Sequence, residues 1–201
     1  MPRPDDKSST LDHFDDISLE SLGAHMFFGE VDEITSHAAS EFILKSNLYH
    51  TDNRPLSIFI NTPGGECSEG FAVIDLMETS RLPIATIGIG MIASMGVLLL
   101  SAGTPGMRTI TKNSEVMAHQ FSGYFHGKQH ELVATQVAYQ MLEKRFMDDF
   151  KRHSTMTDKQ IKDILFAPSD RYLTPAECKK YGLVDKIVDH VELPKMSRLR
   201  R

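Results

Sequence analysis

Gly90-Met-Ile-Ala-Ser94-Met-Gly96 is the stretch on which the chain turns. Before it runs Ile84-Ala-Thr-Ile-Gly-Ile-Gly90, short, apolar and rich in β-branched residues, which suits a buried strand. After it runs Val97-Leu-Leu-Leu-Ser-Ala-Gly103, leucine-rich and unbranched at Cβ after Val97, which suits a helix with Gly103 as its C′ residue. Ser94 therefore sits where a strand hands over to a helix. A hydroxyl there lies beside the unpaired N–H groups of the helix start, which stabilise developing negative charge. Small neighbours, Ala93 and Gly96, leave room for a substrate backbone. Two plainer readings compete. Leu82 to Met107 carries no charge, long enough to raise a membrane span. Its glycines, Thr86 and Ser94 dilute the run, and a central strand plus a buried helix accounts for it. Ser94 by itself is equally a small residue at a helix start.

Whole-chain composition narrows the field. With 201 residues, 41% of them hydrophobic, the chain suits one domain with a substantial core, or one domain with an appendage. A net charge of −5 argues against a general nucleic-acid binder, and the basic tail at 194–201 is too short to reverse that. Only Cys67 and Cys178 are present, in unrelated contexts, so free thiols in a reducing compartment such as the cytoplasm or a plastid stroma are expected. Residues 1–17 are polar and acidic with no apolar stretch, and read as a mobile arm rather than a secretory leader. The folded domain is expected over 18–193.

Taken in order, His25–Val31 reads as a first strand and Asp32 as the cap of a helix with Ile34, Ala38 and Phe42 on one face, widened by Ile43 and Leu48. Leu56–Asn61 is a buried strand entering the turn Thr62-Pro-Gly-Gly65, and Phe71, Ile74, Leu76 and Met77 mark the helix that follows. This alternation gives an α/β fold with a mostly parallel sheet, which binds ligands at the carboxyl ends of its strands. Gly64-Gly65 and Ser94 both lie at such ends. Two short strands, Met107–Thr111 and Glu115–His119, come next. Lys128 to His153 has no Gly or Pro and carries Val133, Val137, Met141, Leu142, Phe146 and Phe150 on one face, a long amphipathic helix. Thr157-x-x-Gln160 and Thr174-Pro-x-Glu177 are capping boxes, the second helix stopping at Gly182, and Val184–Val191 is a closing strand.

A serine nucleophile needs a base within reach and a carboxylate to orient that base. His119 ends a short apolar strand, and Asp170 lies in the turn before Arg171-Tyr172-Leu173. Each has a common structural role: a half-buried core histidine, and a turn aspartate bonding its own backbone. The order Ser, His, Asp, with Ile92 two residues before the serine, departs from the α/β-hydrolase pattern. His126 and His130 are four apart but lack a third ligand at metal-site spacing, so no metal is expected. Cys67 has no adjoining cation to stabilise a thiolate. Tyr124 and Phe125 near Lys128 do not make a base-stacking surface in an acidic chain.

Four motifs, in this order and spacing, resemble the ClpP family, the proteolytic subunits of ATP-dependent Clp proteases. They are Phe59-Ile-Asn-Thr-Pro-Gly-Gly65, Gly90–Gly96, Asn113-Ser-Glu-Val-Met-Ala-His-Gln120, and Asp170-Arg-Tyr-Leu-Thr-Pro-Ala-Glu177 followed by Tyr181-Gly-Leu-Val-Asp185. The likeness runs from about His25 to Val191. It implies a ClpP/crotonase-like fold, a parallel-sheet head with a protruding handle at about 121–153. It implies Ser94 as nucleophile, His119 as general base, Asp170 as orienting carboxylate, and the backbone N–H groups of Gly65 and Met95 as the oxyanion hole. It gives the peptide backbone to Phe121, Ser122, Gly123 and Tyr124, with Gly64, as a form of β-addition.

The same resemblance implies stacked seven-membered rings, a tetradecamer enclosing a chamber. Unfolded polypeptide would be fed by an AAA+ unfoldase such as ClpX, ClpA or ClpC. That partner would use the ATP, and this chain would need no cofactor, nucleic acid or membrane. The chain departs from the family pattern in four places: Phe121 stands where Pro is usual, Ser57 where an aromatic is common, Pro168-Ser169 where an acid–arginine pair is common, and the N-terminal arm does not align. The N-terminal arm and Ser57 keep open a standalone or capsid-maturation protease of the same superfamily. An idle scaffold subunit of mixed rings, or a crotonase-type acyl-CoA enzyme, would have no use for the complete Ser94, His119 and Asp170 set.

Overall fold

The computed structural model describes residues 18–123 and 127–191. The N-terminal arm, the tail and Tyr124 to His126 lie outside the described residues. Seven strands, β1 (Ala24–Phe28), β2 (Leu56–Thr62), β3 (Ile84–Ala93), β4 (Arg108–Thr111), β5 (Glu115–Ala118), β6 (Arg171–Leu173) and β7 (Lys186–Val188), form one sheet. The helices are α1 (Glu33–Tyr49), α2 (Cys67–Thr79), α3 (Met95–Ser101), α4 (Gln129–His153), α5 (Asp158–Gln160) and α6 (Pro175–Lys180). α5 runs on into a π-helical turn, Ile161–Leu165. The main path is β1-β2-β3-β4-β7, all parallel, as the alternating strand and helix pattern predicts.

β3 carries two sheets' worth of pairing. Its first half, Thr86–Gly88, pairs with β4, and its last three residues, Met91–Ala93, pair with β5. A bulge makes the handover. Register with β2 slips between Ile60 and Thr62, which face Gly88 and Ile92. Gly90 takes φ +66°, and the Asn61 side-chain oxygen accepts the Met91 N–H at 3.0 Å in place of the lost ladder bond. The bulge swings the end of β3 out of the main sheet and aims Ser94 at β5.

The core lies between the sheet and α1, α2 and α3, with Ile58, Ile60, Phe71, Ile74, Leu98 and Leu100 at 2% exposure or less. α3 is buried along its whole length, and no described helix is long and apolar enough to cross a membrane. The neutral run from Leu82 is thus a central strand and a buried helix.

Three local expectations are corrected. Gly96 and Ala93 are buried, and a Cβ on Gly96 would stand 2.4 Å from Thr62 Cγ2. Gly96 therefore lets α3 close on β2 rather than making room for substrate. Gly103 follows the helix as expected but keeps an ordinary backbone. It is needed for space, since its Cβ would meet Thr86 Oγ1 at 2.3 Å. α1 is capped by Asp32, whose carboxylate accepts the Thr35 N–H at 2.8 Å, but it buries Ser36, Ala39, Phe42, Ile43 and Ser46. Ile34 and Leu48 are 78% and 79% exposed, so the buried stripe is rotated from the one inferred.

α4 divides along its length. Phe146 and Phe150 are buried against the head, Phe146 with its ring 4.8 Å from that of Phe71. Leu132, Val133, Val137 and Met141 are 44–69% exposed. The C-terminal third therefore anchors the handle, and the N-terminal part stands clear with an apolar stripe. Arg145 reinforces the anchor, bonding Asp75 on α2 at 3.1 Å and lying 3.9 Å above the Phe71 ring.

Candidate active site

Ser94 is the hinge between β3 and α3, with φ +54° and ψ −122°, the one non-glycine residue at positive φ among the described residues. A non-glycine there costs energy that the surroundings must repay. The Ser94 N–H donates to Met117 O on β5 at 2.8 Å, and its carbonyl accepts the Val97 N–H at 3.0 Å. The strained turn lifts the hydroxyl off the sheet and leaves the Met95 N–H as the first in α3, without an intrahelical acceptor.

His119 and Asp170 meet through sheet register. In the antiparallel β5–β6 pair, Val116 faces Leu173, Met117 faces Tyr172 and Ala118 faces Arg171. One step further along the same ladder places His119 opposite Asp170. The connection is tied off by the Gln120 N–H donating to Ala167 O at 3.1 Å. The parallel β3–β5 register, Ala93 opposite Met117, brings His119 just past Ser94.

The side chains complete the series. His119 Nε2 lies 3.0 Å from Ser94 Oγ, and His119 Nδ1 lies 3.2 Å from Asp170 Oδ1. Facing a carboxylate, Nδ1 carries the proton, which leaves Nε2 to accept the Ser94 O–H. The Asp170 side chain is 55% exposed and that of His119 30%, so the outer end of the series is open to solvent.

The Gly64-Gly65 turn supplies the facing wall. Gly64 has φ +92° and is buried against the serine: a Cβ there would stand 2.6 Å from Ser94 Cβ and 3.2 Å from the Met95 nitrogen. Val31 bridges Gly65 in parallel, its N–H donating to Gly64 O at 2.8 Å and its carbonyl accepting the Glu66 N–H at 2.7 Å. In that pattern the bonds engage the residues either side of Gly65, whose own N–H points away from Val31. Gly65 is exposed. The Gly65 and Met95 N–H groups thus flank Ser94 as two donors outside the regular ladders.

Of the residues assigned to the substrate backbone, Ser122 and Gly123 are exposed and pair with no strand among the described residues, and Tyr124 lies outside the described residues. Phe121 is half-buried, its ring among Tyr139, Phe146 and Phe166. His130, of the dismissed histidine pair, is exposed near the start of α4.

A small apolar cavity opens beside Ser94 and His119, walled by Cys67, Val97, Phe121, Phe146, Leu165 and Phe166. Of this wall, sequence reading named only Phe121 as a substrate-binding residue. Cys67 was within reach of it, two residues past Gly65, whereas Leu165 and Phe166 arrive only through tertiary packing. Burial pushes the Cys67 thiol above its ordinary range, with the Glu66 carboxylate adding to the effect. That makes it a packing group rather than a competing nucleophile.

The Clp protease family model matches residues 21–191, nearly all of the described chain. The chain belongs to the Clp protease family. The parallel head, the bulged β3 and the projecting handle α4 are the ClpP-type fold, and membership makes the chain a ClpP-type peptidase.

Proposed function

We propose that the chain is a serine endopeptidase, the proteolytic subunit of an ATP-dependent Clp protease. The observation that carries this reading is the unbroken series from Ser94 Oγ through His119 to Asp170, at 3.0 and 3.2 Å, beside the Gly65 and Met95 N–H groups, which find no acceptor among the described residues. His119 Nε2 takes the Ser94 proton as Oγ attacks the peptide carbonyl carbon. The carbonyl oxygen becomes an oxyanion held by the Gly65 and Met95 N–H groups, each such donor worth about 3 kcal/mol. Asp170 holds the imidazole tautomer and stabilises its positive charge. Collapse of the tetrahedral adduct breaks the C–N bond, and His119 returns its proton to the leaving amine. Water, deprotonated by His119, then hydrolyses the acyl-serine. The sequence needs neither a metal nor an organic cofactor.

The exposed stripe on α4 supports assembly into stacked rings, because an isolated subunit gains nothing by presenting Val133, Val137 and Met141 to water. Met26, Phe28, Leu44, Leu48 and Tyr49 form further exposed apolar surface on β1 and α1. In this reading an AAA+ unfoldase delivers unfolded polypeptide to the chamber and consumes the ATP. Two free cysteines suit a reducing compartment, the cytoplasm or its plastid equivalent.

The test is covalent. A fluorophosphonate probe should label the wild-type protein at Ser94, and Ser94→Ala should lose both labelling and fluorogenic peptide hydrolysis while melting normally. Unchanged turnover in Ser94→Ala would refute the assignment.

A further inference from the structure

The cavity beside Ser94 is the natural place for the side chain on the acyl side of the scissile bond, and it is narrow. Its free volume is about 20 Å³. The space is narrow, and it admits a methyl group with less rearrangement than a leucine side chain or a phenyl ring.

What fills it is identifiable from burial. Phe146, Phe150 and Leu165 are 6%, 4% and 2% exposed and make the floor. Cys67, Phe121 and Phe166 are only half-buried and make the rim. Of these, Phe121 lies on a stretch without regular secondary structure, two residues past His119. Its ring stacks on Phe146 at 5.8 Å and 12°, meets Phe166 edge-on at 6.2 Å, and reaches Tyr139 at 5.2 Å. These are the offset and edge-to-face geometries that aromatic rings favour. The ring is thus held in a socket that would otherwise receive a large apolar side chain.

We propose that Phe121 is a specificity-determining residue whose ring occupies the side-chain pocket beside Ser94 and restricts cleavage to bonds following small residues, Gly, Ala or Ser. The proposal rests on the peptidase reading above. The walls left when the ring is removed, Phe146, Phe150, Leu165 and Phe166, are all apolar, so the emptied pocket suits Leu or Phe.

The experiment compares kcat/KM of the full-length protein on three fluorogenic peptides that differ only in Ala, Leu or Phe before the scissile bond. Wild type should favour Ala by about tenfold or more, the discrimination a pocket of fixed size achieves against extra methylenes. Phe121→Ala should raise the Leu:Ala and Phe:Ala ratios by at least about tenfold. Because Phe121 also packs on Phe146, Phe121→Leu is measured alongside, with a melting curve for each variant. It keeps an apolar filling of smaller size and should shift the ratios in the same direction by less. Wild-type cleavage after Leu or Phe as efficient as after Ala overturns the proposal. So do ratios unmoved in a folded, active Phe121 variant. Fluorophosphonate labelling separates the two levels: a wild type that neither labels nor hydrolyses any peptide refutes the peptidase reading. Labelled, active protein without size selection refutes only the role of Phe121.

Discussion

Gly64→Ala is the sharpest single test of how the site is built. At φ +92° an L-residue is strained, by about 1–2 kcal/mol. The new Cβ would also stand 2.6 Å from Ser94 Cβ and 2.8 Å from Ala93 O, where ordinary contact begins near 3.4 Å. Relief needs a displacement of about 0.8 Å, shared between the turn and Ser94. Neither neighbour is a flexible side-chain tip: one is the Cβ of a residue already at positive φ, the other is backbone of a buried strand. Overpacking of this kind costs about 1–3 kcal/mol, so the variant should fold but melt lower. The larger effect is on turnover. The Gly65 N–H is covalently attached to the displaced turn, and a shift of about 1 Å at a reacting centre costs roughly a hundredfold. Losing one oxyanion donor outright costs about 10²–10³ in kcat. The expected result is a fall in kcat of about a hundredfold or more with a smaller change in KM. It should be measured on short peptides well below the melting temperature, with fluorophosphonate titration to count competent sites. Turnover within threefold of wild type would refute the inferred contact between the Gly-Gly turn and Ser94.

Two further outcomes are expected. Asp185 accepts bonds from the Arg108 guanidinium at 2.7 and 3.0 Å and from the Gly106 N–H at 2.7 Å. Burial works to raise its carboxyl pKa, but these donors prevail and hold it below the ordinary value. A lowered folded-state pKa contributes stability above the unfolded value of 3.8 that is lost as pH falls through the folded value. Asp185→Asn should therefore lower the melting temperature at pH 7, by the equivalent of about 3 kcal/mol for breaking a largely buried pair. The gap to wild type should close in acid, and a pH-independent gap would contradict this account. On the handle, Met141→Glu changes a side chain 69% exposed in the subunit, so the fold should persist while sedimentation shows smaller particles. An unchanged particle size would remove the assembly role from this stripe. Phe146→Glu cannot serve, because Phe146 belongs to the subunit's own core.

The sequence alone determined whatever depends on neighbours along the chain. Asp32, Thr157 and Thr174 cap their helices because the capping bond closes over three residues; Asp32 was readable from its residue type before a periodic apolar run, and Thr157 and Thr174 from i, i+3 pairs. The strand-to-helix turn at Ser94 was readable because composition changes abruptly there. His119 and Asp170 were nameable as chemical types at a strand end and a turn. Their meeting was legible only through the family resemblance and not from spacing, since it depends on the β5–β6 register, which pairs residues about fifty positions apart. The bulge at Asn61 and Gly90 is similarly a two-strand property: one strand supplies the positive φ and the other the replacement hydrogen bond. Periodicity placed apolar faces on α1 and α4 but could not say what would cover them. Ile34, Leu48, Val133 and Met141 obey helical spacing and remain exposed, whereas Phe146 is buried because Phe71 and Phe121 reach it from elsewhere. Burial is decided by what packs against a face, and that information lies far away in the chain.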